Sequence, residues 1–224
     1  HVFLSEYGIG SAVDLPRTVR HYERLGMEHL EDALFYRDKL DRFLADWEQW
    51  GMDACFDRPG DFFAASLARM ASNRIIGLNA IRANPNLVGH NVTGLIDHVM
   101  SGEGLTTAFR EMKPGAIDAL YACWAPLRLC LFAEPVSIYR GGSITLEAML
   151  ANEDALRPGD YPIRREVFGP DGSKALERTA NLTIPEPDGV TEPPFAVPVF
   201  SEAVTIDGVP GKYRFVASFE KGAA

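Results

Sequence analysis

The spacing of apolar residues changes near Pro126, and this change limits the possible folds more than any other feature of the sequence. Before Pro126, apolar residues in two long stretches recur three or four positions apart, as on the buried face of an amphipathic helix. After it, apolar and polar residues alternate, for example over residues 144–150 and 213–219, as along a strand with one buried face. The sequence therefore predicts two parts, residues 1–126 and 127–224.

The first part combines predicted strands with predicted helices. Apolar residues at Val2–Leu4 and Leu87–Val92 indicate two short buried strands, and residues 28–50 and 62–83 between them have helical spacing. A strand, a helical connection and a second strand form a crossover that makes the two strands parallel. A final helix is predicted over Thr107–Tyr121, with an interruption at a Pro-Gly pair.

The chain opens on the first of these strands, with no preceding turn or cap. A (β/α)8 barrel needs eight such strands and usually about 250 residues, so the two strands here would be its last two. We therefore expect residues 1–126 to form the C-terminal portion of a TIM barrel. We also expect a larger N-terminal part of the same polypeptide before His1.

The second part has turn signals between its alternating segments. This spacing is typical of an antiparallel β-sandwich, so we expect an immunoglobulin-like sandwich over residues 127–224. The fold class is therefore α/β followed by all-β. The turn signals are Gly141–Gly142, Arg157–Asp160, Gly169–Gly172, Glu186–Gly189 and Asp207–Gly211.

Charge and cysteine content exclude several classes of function. The chain has 31 acidic and 22 basic residues, a formal charge of −9, and no block of like charge. A surface for nucleic acid or anionic membrane is not expected, because phosphate binding needs clustered cations. No apolar stretch is long enough to cross a bilayer. The cysteines, Cys55, Cys123 and Cys130, lack metal-site spacing and are expected to be buried free thiols, and no metal or cofactor is expected.

Glu6 is the first candidate for chemistry. It follows an apolar strand and precedes Tyr7 and Gly8, so it would project from the carboxyl end of that strand. Active sites of barrel enzymes lie at this end of their strands. A carboxylate at a strand end is also a common solvated charge, so position alone leaves both interpretations open.

Two segments and the sandwich together resemble a known enzyme family. Val2–Gly8, with the sequence VFLSEYG, resembles barrel strand 7 of glycoside hydrolase family 2, which includes β-galactosidases, β-glucuronidases and β-mannosidases. Ala80–Gly89 is similar to the junction between helix 7 and strand 8 of that family. The sandwich resembles the immunoglobulin-like domain attached after its barrel. The resemblance implies a retaining β-glycosidase that hydrolyses O-glycosidic bonds of carbohydrates, with Glu6 as the nucleophile and Tyr7 as a substrate contact.

A retaining glycosidase also needs a general acid/base, which stands about 5 to 5.5 Å from the nucleophile. In the family this residue lies in an Asn-Glu pair at the end of strand 4. The Asn-Glu pair here, Asn152–Glu153, falls in the sandwich, and we interpret it as part of a loop. The acid/base is therefore expected outside this chain, and the chain alone is expected to be inactive.

Polar residues follow the second predicted strand and would lie at the same open end as Glu6. Asn91 and Asp97 are the candidates for hydrogen bonds to sugar hydroxyls. We interpret His90 and His98 as structural histidines, because no metal spacing accompanies them. Family members often place an aromatic residue near this strand end, and none occurs here before Phe109.

Aromatic residues leave two further questions open. Trp47, Trp50 and Phe56 in the long connection after the first strand either stack on sugars or, as we favour, anchor that connection by packing. The alternative function is a non-catalytic carbohydrate-binding or structural β-sandwich module. The sandwich has no tryptophan after Trp124, which makes a stacking surface there less favourable.

Overall fold

The computed structural model describes residues 1–190 and 194–220. The predicted second part also includes residues 191–193 and 221–224, which lie outside the described residues. The described chain is mixed, with its described helices before Pro126 and antiparallel strands after it. In chain order the elements are β1 (Val2–Tyr7), α1 (Leu15–Arg24), α2 (Glu31–Gln49), α3 (Pro59–Arg82), β2 (Leu87–Val92), α4 (Ala116–Cys123), β3 (Leu127–Glu134), β4 (Gly142–Asn152), β5 (Gly159–Phe168), β6 (Lys174–Ile184), β7 (Ala196–Ile206) and β8 (Arg214–Phe219).

The chain divides into two compact units that are discontinuous in sequence. One consists of residues 1–5, 76–90 and 121–224, and the other of residues 6–75 and 91–120. The division therefore differs from the two consecutive parts expected from the change of periodicity.

Strands β1 and β2 form a two-stranded sheet. The backbone N–H of Val2 donates to the carbonyl oxygen of Asn86 at 2.7 Å, and that of Thr93 donates to Tyr7 at 2.8 Å. The starts of the two strands therefore lie together, and so do their ends. The strands are parallel, as the crossover predicts. The prediction that both strands are buried is wrong, since Val2 and Phe3 are 52% and 54% exposed. Among the described residues no third strand joins this sheet, so a barrel is not seen.

The helices of the second unit enclose an apolar core. Helix α1 starts after Asp14, whose Oδ1 accepts a hydrogen bond from the N–H of Arg17 at 3.0 Å and so caps the helix. Residues of α1, α2 and α3, with Val13 before them, meet in one buried cluster. Its members are Val13, Leu15, Val19, Tyr36, Leu40 and Phe63.

The final helix of the first part is shorter than predicted. Instead of Thr107–Tyr121, only Ala116–Cys123 is helical. Pro114 has no N–H to donate, and Gly115 adopts a positive φ of 80°, so the helix begins only after them. Upstream, Thr107 Oγ1 accepts a hydrogen bond from the N–H of Glu111, which stabilises a turn in place of a helix.

Strands β3 to β8 form two antiparallel sheets with the orders β3-β4-β7 and β6-β5-β8. Their facing sides meet at Leu150 on β4, Ile163 on β5 and Leu182 on β6, which are buried in one core cluster. A second cluster includes Leu146 on β4 and Val167 on β5. The second part of the chain is therefore sandwich-like, as predicted from its alternation.

A cavity of about 520 Å³ lies where β3 and β7 end and β4 and β8 begin. Its lining includes Leu146 and Val167, which also belong to the core of the sandwich. Val136 and Tyr139 at the same cavity are 84% and 95% exposed. Within the described chain β8 pairs with β5 alone, so its second edge is free beside this cavity.

Two of the three thiols are buried, as predicted, and one is not. Cys123 and Cys130 are fully buried, and burial raises the pKa of both thiols. Cys55 is exposed, so the prediction is wrong for this residue. It lies between α2 and α3, directly after a short 3-10 helix, Met52–Ala54. No described helix has both the length and the apolar content for a membrane span.

Candidate active site

Glu6 and Asn91 both lie near the carboxyl ends of the parallel strand pair. The hydrogen bonds from Val2 to Asn86 and from Thr93 to Tyr7 bring the starts of the two strands together and their ends together, so residues 6 and 91 both lie near the carboxyl ends. Both side chains are exposed. The structure therefore places two of the four residues predicted for the site at the same end of the sheet.

The Tyr7 side chain is partly buried and is directed toward α3. Its hydroxyl group lies 3.5 Å from the carbonyl oxygens of both Asn73 and Arg74 on α3. The residue after Glu6 is thus attached to the helix that connects the two strands. A substrate contact by Tyr7 stays a prediction.

Asp97 is 7% exposed and lies in a buried ion pair. Lys113 Nζ donates to both carboxylate oxygens at 3.0 and 3.1 Å, and the N–H of Gly104 donates to Oδ1 at 2.8 Å. Lys113 also donates to the carbonyl oxygen of Gly102 at 2.8 Å. Burial lowers the pKa of Lys113, and the bond to Asp97 opposes that effect. Asp97 therefore stabilises the loop after β2, a role that its place in the sequence did not suggest.

The segment Gly102–Gly104, in the loop after β2, contacts the loop after β1. The N–H of Ser11 donates to the carbonyl oxygen of Gly102 at 2.9 Å. A Cβ atom on Gly102 would lie 1.9 Å from the carbonyl oxygen of Ser11, and one on Gly104 would lie 2.2 Å from the N–H of Asp97. Such close backbone approach requires glycine at both positions.

Glu103, between these glycines, lies beside the turn that follows Glu6. A Cβ atom on Gly8 would lie 3.4 Å from Glu103 Cδ, and one on Gly10 would lie 3.6 Å from its Cγ. The sequence analysis did not identify this carboxylate. Its position within a Gly-x-Gly pattern between two polar segments was the available signal, since such glycines mark a close backbone approach.

Arg74 on α3 is fully buried, which sequence reasoning also missed. Its Nη2 donates to the carbonyl oxygens of Ile9 at 3.2 Å and Glu103 at 2.5 Å. Its Nε and Nη1 atoms have no partner within the described chain. Burial lowers the pKa of the guanidinium group. An arginine in an amphipathic helix is expected on the solvent face, so nothing in the helical spacing indicated this position.

His90, before Asn91 on β2, has a structural partner. The Trp124 Nε1–H donates to His90 Nε2 at 3.2 Å, which requires that nitrogen to be unprotonated. Burial, and then the positive charge of Arg82, lowers the pKa of His90. Arg82 also binds Glu153 through Nη2 at 2.7 Å, so the carboxylate of the Asn-Glu pair in the sandwich has an ion-pair partner.

The aromatic residues of the long connection pack mainly against one another. Trp47 is buried, and its ring contacts Phe43, Phe56 and Phe62. Trp50 is exposed. This arrangement favours anchoring over sugar stacking for Trp47 and Phe56.

No group of three or more His, Cys, Asp or Glu side chains in the described chain is arranged to hold a metal ion. Comparisons of the sequence with models of known protein families and with curated proteins find no match.

Proposed function

We propose that this chain is the C-terminal part of a retaining β-glycosidase of the glycoside hydrolase family 2 type, with Glu6 as its nucleophile. In this proposal β1 and β2 are the last two strands of a (β/α)8 barrel, and β3 to β8 form the immunoglobulin-like domain after it. The observation that carries the proposal is that Glu6 and Asn91 are both exposed near the carboxyl ends of two parallel strands.

The exposed surface of β1 and β2 supports the barrel. Within the described chain each of these strands pairs on one edge only, and Val2, Phe3 and Val88 are exposed on them. Unpaired edges with apolar side chains are unfavourable in water, and neighbouring barrel strands with their helices would cover both. Those strands would come from the part of the polypeptide before His1.

The proposed chemistry uses two carboxyl groups, of which this chain supplies one. Glu6 attacks the anomeric carbon while the acid, from outside this chain, protonates the leaving oxygen, and a glycosyl-enzyme ester forms. Water, deprotonated by the same second group, then hydrolyses the ester. In this proposal the Asn91 amide donates a hydrogen bond to a sugar hydroxyl near Glu6. A contact through Asp97 would require its ion pair with Lys113 to open.

The test is covalent labelling of the full-length polypeptide that carries this chain. It is incubated with 2,4-dinitrophenyl 2-deoxy-2-fluoro-β-glycosides of the galacto, gluco, manno and glucurono series, and the intact mass is measured. We expect one glycosyl adduct, located at Glu6 by peptide mapping, and no adduct on the Glu6→Gln variant. An adduct on another carboxylate, or undiminished turnover by Glu6→Gln, would show that the nucleophile lies elsewhere.

Two further measurements complete the test. Exogenous azide is expected to restore turnover to Glu6→Ala and to give the α-glycosyl azide, because azide attacks from the face that Glu6 vacates. The 224-residue chain alone is expected to give no measurable hydrolysis, since loss of the general acid forfeits roughly 10²- to 10⁴-fold.

The sandwich cavity favours a second candidate, a non-catalytic carbohydrate-binding or structural module. Tyr139 is almost fully exposed beside the cavity, and an exposed ring can stack on a pyranose face. Titration of the wild-type chain and of the Tyr139→Ala variant with oligosaccharides tests this candidate. Binding that Tyr139→Ala abolishes, together with no labelling of the full-length polypeptide, would favour the module over the enzyme.

A further inference from the structure

The loops that leave β1 and β2 meet at one buried side chain. Arg74 lies on α3, and its Nη2 donates to the carbonyl oxygen of Ile9 in the first loop and to that of Glu103 in the second. Both loops start at the carboxyl ends of the parallel strands, where Glu6 and Asn91 stand. One guanidinium group therefore binds both loops, which the hydrogen bond from Ser11 to Gly102 also joins.

The backbone on the C-terminal side of Glu6 is fixed twice by the same helix. The Tyr7 hydroxyl group lies 3.5 Å from the carbonyl oxygens of Asn73 and Arg74, and Arg74 itself binds Ile9. Glu6 therefore comes directly before a turn that is attached to α3 at Tyr7 and at Ile9. Its side-chain direction follows from a backbone that has little freedom to rotate.

Stability alone does not account for a charged group at this place. Arg74 is 0% exposed, and its Nε and Nη1 atoms lack partners within the described chain. Burying a charge with unsatisfied N–H groups is unfavourable, and an apolar side chain of similar volume often packs with equal or better stability. An apolar side chain would not bind two carbonyl oxygens in fixed directions, as the guanidinium group of Arg74 does.

We infer that Arg74 is the positioning residue for the Glu6 carboxylate. It holds the Tyr7–Ile9 turn against the loop that contains Glu103 and so orients Glu6 toward the anomeric carbon. This inference deepens the proposed function and rests on it. A displacement of about 1 Å in a reacting group can reduce its rate about 100-fold, so a clamp of this kind has a measurable kinetic effect.

The experiment measures how fast the fluoroglycoside that labels the full-length polypeptide inactivates it, over a series of reagent concentrations. This series gives two separate quantities, the dissociation constant of the reagent and the rate constant of labelling. Arg74→Met is expected to lower the rate constant about 10- to 100-fold and to leave the dissociation constant within about 2-fold. Arg74→Lys keeps the charge but cannot bind both carbonyl oxygens as a planar fork does, so a loss of at least about 5-fold is expected. Arg69→Met and Arg69→Lys, at an exposed position of the same helix, are the matched controls.

A purely structural role would lower the thermal midpoint and leave the rate constant of the folded fraction unchanged. That result for Arg74→Met would overturn the inference. If Arg74→Met does not fold, the measurement on Arg74→Lys takes its place. A rate constant of labelling equal to that of the wild type would then overturn the inference. Failure of the proposed function is distinguishable, because Glu6→Gln would then still be labelled or active whatever Arg74 does.

Amide hydrogen exchange adds a readout that needs no activity. In the 224-residue chain, Arg74→Met is expected to accelerate exchange at Ser11, whose N–H binds Gly102 across the two loops, and to leave exchange in the sandwich strands unchanged. Unchanged exchange at Ser11 would contradict the clamp.

Discussion

Glu6 on β1 and Asn91 on β2 are both exposed, and both lie near the carboxyl ends of two parallel strands. Parallel pairing makes this relationship possible, because it brings the ends of both strands to one edge. Antiparallel pairing would have placed Asn91 near the start of β1. The pair therefore links the crossover topology of the chain to the chemistry proposed for it.

Asn91→Ala in the full-length polypeptide is expected to lower kcat/KM about 10-fold. This change corresponds to about 1.4 kcal/mol, the free energy of one lost hydrogen bond to a sugar hydroxyl. The free energy of unfolding is expected to stay within about 0.5 kcal/mol, because the side chain is exposed. Asn86→Ala, an exposed position just before the opposite end of β2, is the control. Equal kcat/KM for the two variants would remove Asn91 from the site.

Lys113→Met is expected to lower the free energy of unfolding by about 3–5 kcal/mol in urea denaturation, because it leaves the buried Asp97 carboxylate without its cation. The double variant Lys113→Met with Asp97→Asn is expected to lose less than the sum of the two single losses. Strictly additive losses would mean that the two groups do not stabilise each other.

Gly104→Ala is expected to destabilise the chain by at least about 1–3 kcal/mol, since its Cβ would overlap the backbone of Asp97 and Thr106. Gly60→Ala is the matched control. Gly60 lies in α3 with no atom within 4 Å of the added Cβ, so this change is expected to stabilise by about 0.5 kcal/mol. A Gly104→Ala variant as stable as the wild type would contradict the close approach of the two loops.

The lowered pKa of His90 predicts a pH effect on stability. The unfolded chain binds a proton near the ordinary value of 6.5, and the folded chain binds it only at lower pH. The stabilisation from neutral His90 is therefore present above pH 6.5 and is lost as pH falls through the folded pKa. Protonation also breaks the hydrogen bond from Trp124.

The measurement compares wild type with His90→Gln at about pH 7.5 and about pH 5 in urea denaturation. The stability advantage of the wild type is expected to shrink at the lower pH. His29→Gln, at an exposed position, is the surface control. An advantage that grows on acidification would mean that the histidine is stabilised in its charged form.

The long elements and the sandwich follow from the spacing of apolar residues, whereas the contacts beneath the site do not. Helices predicted over residues 28–50 and 62–83 correspond to Glu31–Gln49 and Pro59–Arg82, and the second predicted strand is Leu87–Val92. Helix α1 was missed because Leu15–Arg24 is rich in charged residues, although the capping Asp14 before Pro16 was a readable start signal.

Burial of charged groups is a tertiary property, and the sequence contains no local signal for it. Arg74 and Lys113 are hidden only because loops distant in sequence present carbonyl oxygens and a carboxylate to them. The placement of Asn91 near Glu6 was predictable, because two parallel strands suffice to produce it. The loop contacts of Asp97 and Glu103 were not, because backbone approach at Gly102 and Gly104 decides them.

The free edge of β8 beside an apolar cavity also affects how molecules of this chain behave in solution. A row of unpaired backbone groups is a template on which a neighbouring molecule can add its own strand. The formal charge of −9 opposes such encounters, and salt weakens that repulsion beyond about 8 Å at 0.15 M ionic strength. We therefore expect dilute buffer to keep the chain dispersed and added salt to promote its self-association.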